Sequence, residues 1–274
     1  MKIALIGAGG KMGVRLSQNL KDSRFNVAHV EVSDAGRDRL KAEVGVECVD
    51  IEAALDGARA VILAVPDTAI RKVAQGIIDK LAPGTMLIAL DAAAPFAGHF
   101  PERTDVTYFV THPCHPPIFN DETQLPAKRD YFGGIAAKQA IVNALMQGPE
   151  EDYAIGEEIA KTIFQPILRS HRVSVEQMAL LEPGLSETVC ATLLVVMKEA
   201  MDEVVRQGVD PVAARDFLLG HMNILGAVVM EEVDGVFSDA CNKAITNGKK
   251  RLMRDDWIGV FKPDEIRESI RQIT

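Results

Sequence analysis

The apolar run Ile3-Ala-Leu-Ile6 stops at a cluster of glycines, Gly7, Gly9, Gly10 and Gly13, and a helical pattern follows at Val14, Leu16 and Leu20. A start of this kind constrains the fold more than any other stretch of the chain, because a strand must bend sharply into a helix there. Gly7 permits the tight turn, and Gly9 or Gly10 lets backbone approach a ligand. The free N–H groups of the helix start then face negative charge. A simple turn needs one or two glycines, so the cluster predicts a site for a dinucleotide pyrophosphate. The spacing is Gly7-x-x-Gly10-x-Met12-Gly13 instead of a strict G-x-G-x-x-G, with Lys11 and Met12 part of the same loop.

Which dinucleotide is read from the end of the second apolar segment, Val30-Glu31-Val32-Ser33-Asp34. An acid there accepts hydrogen bonds from the adenosine ribose and repels a 2′-phosphate, which favours NAD. Glu31, 21 residues after Gly10, has the usual separation, with Ser33 beside it. Asp34 competes for the role, and Arg37 leaves NADP open.

Strand-like segments near residues 2–6, 27–32, 60–65, 85–90 and 106–111 alternate with helical ones near 11–21, 36–43, 51–55, 68–80 and 153–164. Segments 139–146 and 167–173 are candidates to extend the sheet. The alternation predicts an α/β fold, an N-terminal Rossmann doubly wound parallel sheet over residues 1–175. From about Glu176 the pattern turns helical, so residues 176–274 are expected to form an all-helical substrate and dimerisation domain. Its first long helix, Leu185–Gln207, is apolar nearly all round in its first half, which requires burial in a large core or against another subunit.

With 47% hydrophobic residues among 274, the chain can bury a sizeable core, and a formal charge of −9 argues against nucleic acid or an anionic membrane as partner. Its four cysteines lie far apart, which suggests neither a disulfide framework nor a structural zinc site. The N-terminus goes directly into a strand without a leader, and the longest apolar runs are about nine residues, short of a bilayer span. A soluble, cytoplasmic protein is expected.

Ligands of such sheets bind outside the carboxyl ends of the strands. Two turns of that kind are Ala64-Val65-Pro66-Asp67, expected on the nicotinamide side, and the turn that begins at Asp91. Thr111-His112-Pro-Cys114-His115-Pro-Pro follows another strand, and its prolines stiffen a loop carrying two imidazoles. Either His112 or His115 can take a hydroxyl proton as hydride leaves carbon, or bind a divalent metal. Cys114 is a bystander. Glu182-Pro-Gly-Leu-Ser186-Glu187 stands near the start of the long helix. There, helix capping competes with a role in acid/base chemistry or in orienting substrate or a metal whose ligands the sequence does not assign. Asn242 and Lys243 are candidates for holding a substrate carboxylate, and His221 on an apolar helix reads as a core histidine.

Together, the glycine motif, Ala64-Val65-Pro66-Asp67 and the helical second half resemble the 6-phosphogluconate and β-hydroxyacid dehydrogenase superfamily. That resemblance implies oxidation of a hydroxy acid with NAD or NADP and a homodimer formed through the C-terminal helices. The superfamily's catalytic lysine motif, G-x-G-x-x-x-K-x-x-N, is absent; Glu182 and Ser186 stand near its place. The His112-Pro pair resembles the histidine of prephenate dehydrogenases. With Glu182 to Glu187, the histidine loop is most similar to the D-apionate oxidoisomerase branch. This implies NAD-linked oxidation of a small branched sugar acid coupled to a shift of the carbon skeleton, with a divalent ion as an optional aid. A hydroxyacid dehydrogenase without rearrangement and a catalytically silent NAD(H)-sensing protein are the alternatives.

Overall fold

The computed structural model describes every residue, Met1–Thr274, and the chain divides into two compact units. The first comprises Met1–Glu182 with Arg267–Thr274, and the second Pro183–Ile266. The sequence places the division a few residues earlier, at 175.

Seven strands form the sheet of the first unit: β1 (Lys2–Ile6), β2 (Asn26–Val30), β3 (Ala60–Leu63), β4 (Met86–Ala89), β5 (Thr107–Pro113), β6 (Gln139–Gln147) and β7 (Ile167–Arg172). Their order is β2-β1-β3-β4-β5-β6-β7. β1 to β5 are parallel to their neighbours, whereas β6 runs antiparallel to β5 and β7 parallel to β6. The sheet is therefore mostly parallel, with the two later segments extending it. Helices α1 (Lys11–Lys21), α2 (Asp34–Val44), α3 (Ile51–Leu55), α4 (Asp67–Ile77), α5 (Ala93–Phe96), α6 (Leu125–Lys128), α7 (Asp152–Ile163) and α8 (Val175–Ala179) complete the unit.

Because side chains alternate across a strand, each face of the sheet has its own core. Ala4, Ile6, Val61, Leu63, Leu87 and Val110 belong to one, and Ile3, Leu5, Ile62, Ile88 and Phe109 to the other. Every residue of β3 and β4 is buried, which explains why these strands read as unbroken apolar runs. Phe109 is fully buried, and a Cβ on Gly156 of α7 would lie 2.4 Å from its ring, so only glycine lets that helix approach so closely. Burial of a side chain of this size contributes about 1.5–3 kcal/mol.

The helix that runs into the second unit begins at α8, not at Leu185. A capping box holds its start: Ser174 accepts from the Gln177 N–H, and the Gln177 side chain accepts from the Ser174 N–H. Pro183 lacks an N–H and its ring collides with the preceding turn, so Leu180–Ala191 widens into a π-helical stretch before α9 (Thr192–Arg206). Asp210 caps α10 (Pro211–Val229) by accepting from the N–H groups of Val212 and Ala213 at 2.9 and 3.0 Å. α11 (Asp239–Leu252), a 3₁₀ turn at Trp257–Phe261 and α12 (Pro263–Ile273) follow.

Two expectations need correcting here. The long helix is not buried in a core: α9 has no buried residue, and α10 buries only Ala214 and Ala227. Nor are the apolar segments too short to cross a membrane. The continuous helices Val175–Arg206 and Pro211–Val229 have the length and mean hydropathy for it, 1.5 and 1.3, because helix formation joins the short runs into longer apolar windows.

Candidate active site

On the nucleotide side, β1 ends at Gly7, whose φ of +82° favours glycine. A Cβ at Gly7 would lie 2.3 Å from the Ala64 carbonyl oxygen, and one at Gly13 would lie 2.1 Å from that of Gly7. At Gly10 the nearest atom, the Gly7 carbonyl oxygen, is 3.3 Å away, a tight contact but far less severe than those at Gly7 and Gly13. Gly10 is also the N-cap of α1, which has no side-chain cap and no acid in its first turn. The N–H groups at its start are thus left for an anion. Half-buried Met12 and exposed Lys11 border this opening.

Glu31 follows β2 and turns back beneath the loop. Its Oε2 accepts from the Gly9 N–H at 3.0 Å, and its Oε1 from the N–H groups of Val32 and Ser33 at 2.8 and 2.9 Å. Ser33 uses its hydroxyl to cap α2, accepting from the Gly36 N–H at 3.0 Å. Arg37 donates to the Glu31 backbone oxygen at 2.7 Å. Gly36 is a residue the sequence reasoning missed, with no motif to mark it. A Cβ there would strike the Glu31 side chain at 2.7 Å, so glycine at this position leaves the acid its place.

On the other side, β4 and β5 end next to each other, bringing Asp91 and His112 together, and Glu182 joins them from the widened helical stretch. The His112 Nδ1–H donates to the Leu90 carbonyl at 2.9 Å, since a carbonyl only accepts. Nδ1 also lies 3.4 Å from Asp91 Oδ2, while Nε2 lies 3.3 Å from Glu182 Oε2. Asp91 Oδ1 is held by the Ala93 N–H at 2.6 Å. Nε2 of His112 is buried without a hydrogen-bond partner. The donor atoms of the three residues all lie within 4.8 Å of one another.

Asp67, the first residue of α4, senses this cluster. Its carboxyl is pushed up to about 6, first by desolvation and then by the negative charge of Asp91, with Glu182 adding a little and His112 opposing. Pro66 caps the same helix, and Val65 lies against Gly7. Ala64, Val65 and Asp67 are half-buried and Pro66 exposed.

His115 has φ +60°, unusual for a residue with a side chain. Its Nδ1–H donates to the Phe132 carbonyl at 2.8 Å, and its ring stands edge-on to His112 with centroids 6.1 Å apart. Nε2 of His115 is therefore an unengaged acceptor. The Cys114 thiol is pushed up, first by desolvation and then by the Glu182 charge.

Ser174 and Gln177 perform the capping, so that reading of Glu182 falls away. Ser186 and Glu187 are exposed and belong to the second unit. Asn242 and Lys243 are exposed on α11 in the same unit, with the Asn242 amide donating to the Phe237 carbonyl at 3.3 Å. His221 is not a core histidine: it is exposed, stacks on Phe217 at 4.0 Å and bonds the Phe217 carbonyl. It borders a groove of about 570 Å³ formed by Met197, Met201, Val204, Leu218 and Leu225, because the helices around it leave their apolar faces uncovered.

Comparison with known proteins gives the family and the cofactor. Residues 2–96 match the NAD binding domain of 6-phosphogluconate dehydrogenase, and residues 120–274 the C-terminal domain of decarboxylating phosphogluconate dehydrogenase. A D-apionate oxidoisomerase of Rhizobium rhizogenes is 71% identical over 272 residues, 99% of each chain. One of Cupriavidus necator is 69% identical, covering 100% of this chain and 99% of its own. A crystal structure described as a semialdehyde dehydrogenase NAD-binding protein from Cupriavidus necator, in complex with calcium and NAD, superimposes with a TM-score of 0.99 at 69% identity over 100% of this chain and 99% of that one.

Proposed function

This chain belongs to the D-apionate oxidoisomerases of the 6-phosphogluconate dehydrogenase superfamily, and from that premise we propose how its two ends share the work of an NAD-dependent oxidoreductase acting on a branched sugar acid. The observation that carries the reading is the placement at one edge of a parallel sheet of an open, uncapped helix start and a histidine between two carboxylates.

NAD, when bound, accepts hydride from the carbon that bears the reacting hydroxyl. The N–H groups at the start of α1 hold the pyrophosphate over Gly10, and Glu31, locked by three backbone N–H groups, meets the ribose where it excludes a 2′-phosphate. Ala64 to Asp67 and Asp91 line the nicotinamide side. His115 takes the hydroxyl proton at Nε2, because its Nδ1 already donates to Phe132. Asp91, His112 and Glu182 orient the acid end of the substrate, with Ser186 and Glu187 as further candidates for that role. The sugar acid loses hydride and proton to become a carbonyl compound, whose skeleton then rearranges without further change of oxidation state. Residues 1–175 serve the cofactor, and residues 176–274 serve substrate and assembly.

For the apolar faces of α9 and α10, we take a second copy of the chain as the cover, giving a cytoplasmic homodimer. Acids within and after the apolar half of the first helix, Glu182, Glu199, Asp202 and Glu203, suit a protein interface bordered by water better than lipid. The net charge of −9 speaks against nucleic acid as a partner.

The test supplies D-apionate and linear aldonic acids with NAD and follows NADH absorbance and product mass. Turnover with an altered skeleton is expected. Product with an unchanged skeleton leaves the plain dehydrogenase, and no turnover of any sugar acid leaves the NAD-sensing protein.

A further inference from the structure

Glu182 and His112 meet in a way that neither residue satisfies alone. The Leu90 carbonyl takes the Nδ1–H of His112, so in the neutral form of the ring Nε2 carries the lone pair, and 3.3 Å from it stands a carboxylate oxygen of Glu182. Two acceptors face each other in a place where Nε2 has no water-accessible surface and no hydrogen-bond partner. Buried polar atoms are rarely left so, and something positive is required between them.

The rest of the cluster is arranged for the same purpose. Asp91 spends Oδ1 on the Ala93 N–H and turns Oδ2 to the His112 ring, 3.4 Å from Nδ1, while the Nδ1–H goes to the Leu90 carbonyl and Nε2 keeps no hydrogen-bond partner. Such outer hydrogen bonds orient ligand atoms at metal centres. One donor atom from each of the three residues lies within 4.8 Å of the others, and the 3.3 Å pair of Nε2 and Glu182 Oε2 is close to the edge of a coordination shell with bonds of about 2.1 Å, roughly 3 Å between adjacent donors. Charge points the same way. Two carboxylates meet at one imidazole with Asp67 nearby, yet the proposed substrate is itself an anion. A proton on His112 offsets one negative charge and leaves the cluster negative. A divalent cation offsets both ligand carboxylates and retains attraction for a third.

We propose that Asp91 Oδ2, His112 Nε2 and Glu182 Oε2 bind one divalent cation of the Mg²⁺ or Mn²⁺ class, and that its remaining positions chelate the substrate through its carboxylate and a neighbouring hydroxyl. Two oxygens and one imidazole suit such a cation, and three protein ligands leave positions open for substrate. The cation makes the α-hydroxy acid the substrate class, since that unit closes a five-membered chelate with one anionic oxygen, which a neutral vicinal diol does not offer. It also gives His112 the role of ligand, so the proton falls to His115. The chelation part rests on the sugar-acid reading above; the cation site does not.

The experiment titrates metal-stripped, full-length protein with Mn²⁺ and follows the electron paramagnetic resonance signal of the free ion. NADH binding and thermal melting are measured on the same samples. One site per chain is expected, weakened at least tenfold in Glu182→Gln and in Asp91→Asn, with NADH binding kept in Glu182→Gln. Chelator is expected to abolish sugar-acid turnover, and Mn²⁺ to restore it. Should the wild-type protein leave the Mn²⁺ signal unchanged at millimolar metal, or should both variants bind as the wild type does, the cation site is wrong and a shared proton bridges Nε2 and Oε2. NADH formation that persists in chelator also overturns the chelation while leaving the oxidoreductase standing. Metal bound at the triad with no sugar acid turned over keeps the cation and overturns the substrate reading.

Discussion

The two ends of the cleft differ in how they treat polar groups. Beneath the glycine loop, the Glu31 carboxylate accepts three backbone N–H groups, and the loop glycines touch backbone so closely that no side chain fits at Gly7, Gly9 or Gly13. At the ends of β4 and β5, by contrast, His112 Nε2 lacks a partner and Asp67 is pushed up to about 6. The nucleotide end is finished before its ligand arrives, whereas the chemical end keeps unspent charge and lone pairs. A binding site for a common cofactor gains from rigidity, and a reacting site needs groups that exchange protons or ligands.

The sharpest way to break this contrast is Gly13→Ala. Its Cβ has no room beside the Gly7 carbonyl, so the loop must deform, with an expected loss of about 3 kcal/mol or more in stability and of measurable NADH binding by fluorescence. Gly10→Ala, whose Cβ meets the Gly7 carbonyl oxygen at 3.3 Å, needs only a small shift, so it should lose far less stability than Gly13→Ala while still losing affinity. Equal damage from both would mean that the open cradle is not where the phosphates lie.

Next in size is His115→Gln, which removes the proposed proton acceptor. A fall in kcat of about 10²- to 10⁴-fold is expected with NADH affinity unchanged. An unchanged kcat returns the proton to His112. Glu31→Ala comes third: it strips the Gly9, Val32 and Ser33 N–H groups of their acceptor, so NAD affinity should drop about tenfold, with a gain for NADP. Paired titrations with both cofactors decide this.

The smallest effect is that of Asp67→Asn on stability. The Asp67 carboxyl is raised in the folded state from 3.8 to about 6. Between those values the folded protein holds a proton that the unfolded chain has released. Its contribution to stability is therefore fully present below about pH 4 and lost as pH rises to about 6. Asparagine removes that loss. Urea melts at pH 4.5 and pH 7.5 should show the variant gaining about 1 kcal/mol on the wild type at the higher pH, a figure reduced for solvent screening. No relative gain would mean that neither burial nor the Asp91 charge raises the Asp67 carboxyl.

Much of the chemistry was legible in the chain, but not its grouping. Asp91, His112, His115 and Glu182 all stand out as polar residues at strand ends or in stiffened loops. Nothing in the spacing joins residues 91, 112 and 182, since that depends on β4 and β5 being neighbours and on Pro183 widening the helix beside them. The long helix illustrates the same limit. Its apolar surface is visible in the sequence, but what covers it is not, and α9 turns out to bury nothing within its own chain. Gly36 carries no motif and gains meaning only from Glu31 lying across it.

The sequence by itself determined the parts of this protein that depend on local geometry: the strand-to-helix turn, the acid that follows the second strand, and the alternation that builds a mostly parallel sheet. Such features need only neighbours a few residues away and the periods of helix and strand. The tertiary structure alone decided that one imidazole faces two carboxylates with a lone pair unspent. Distances between residues 91, 112 and 182 are set by strand order and helix width, and charge acts through space regardless of how far apart two residues lie along the chain.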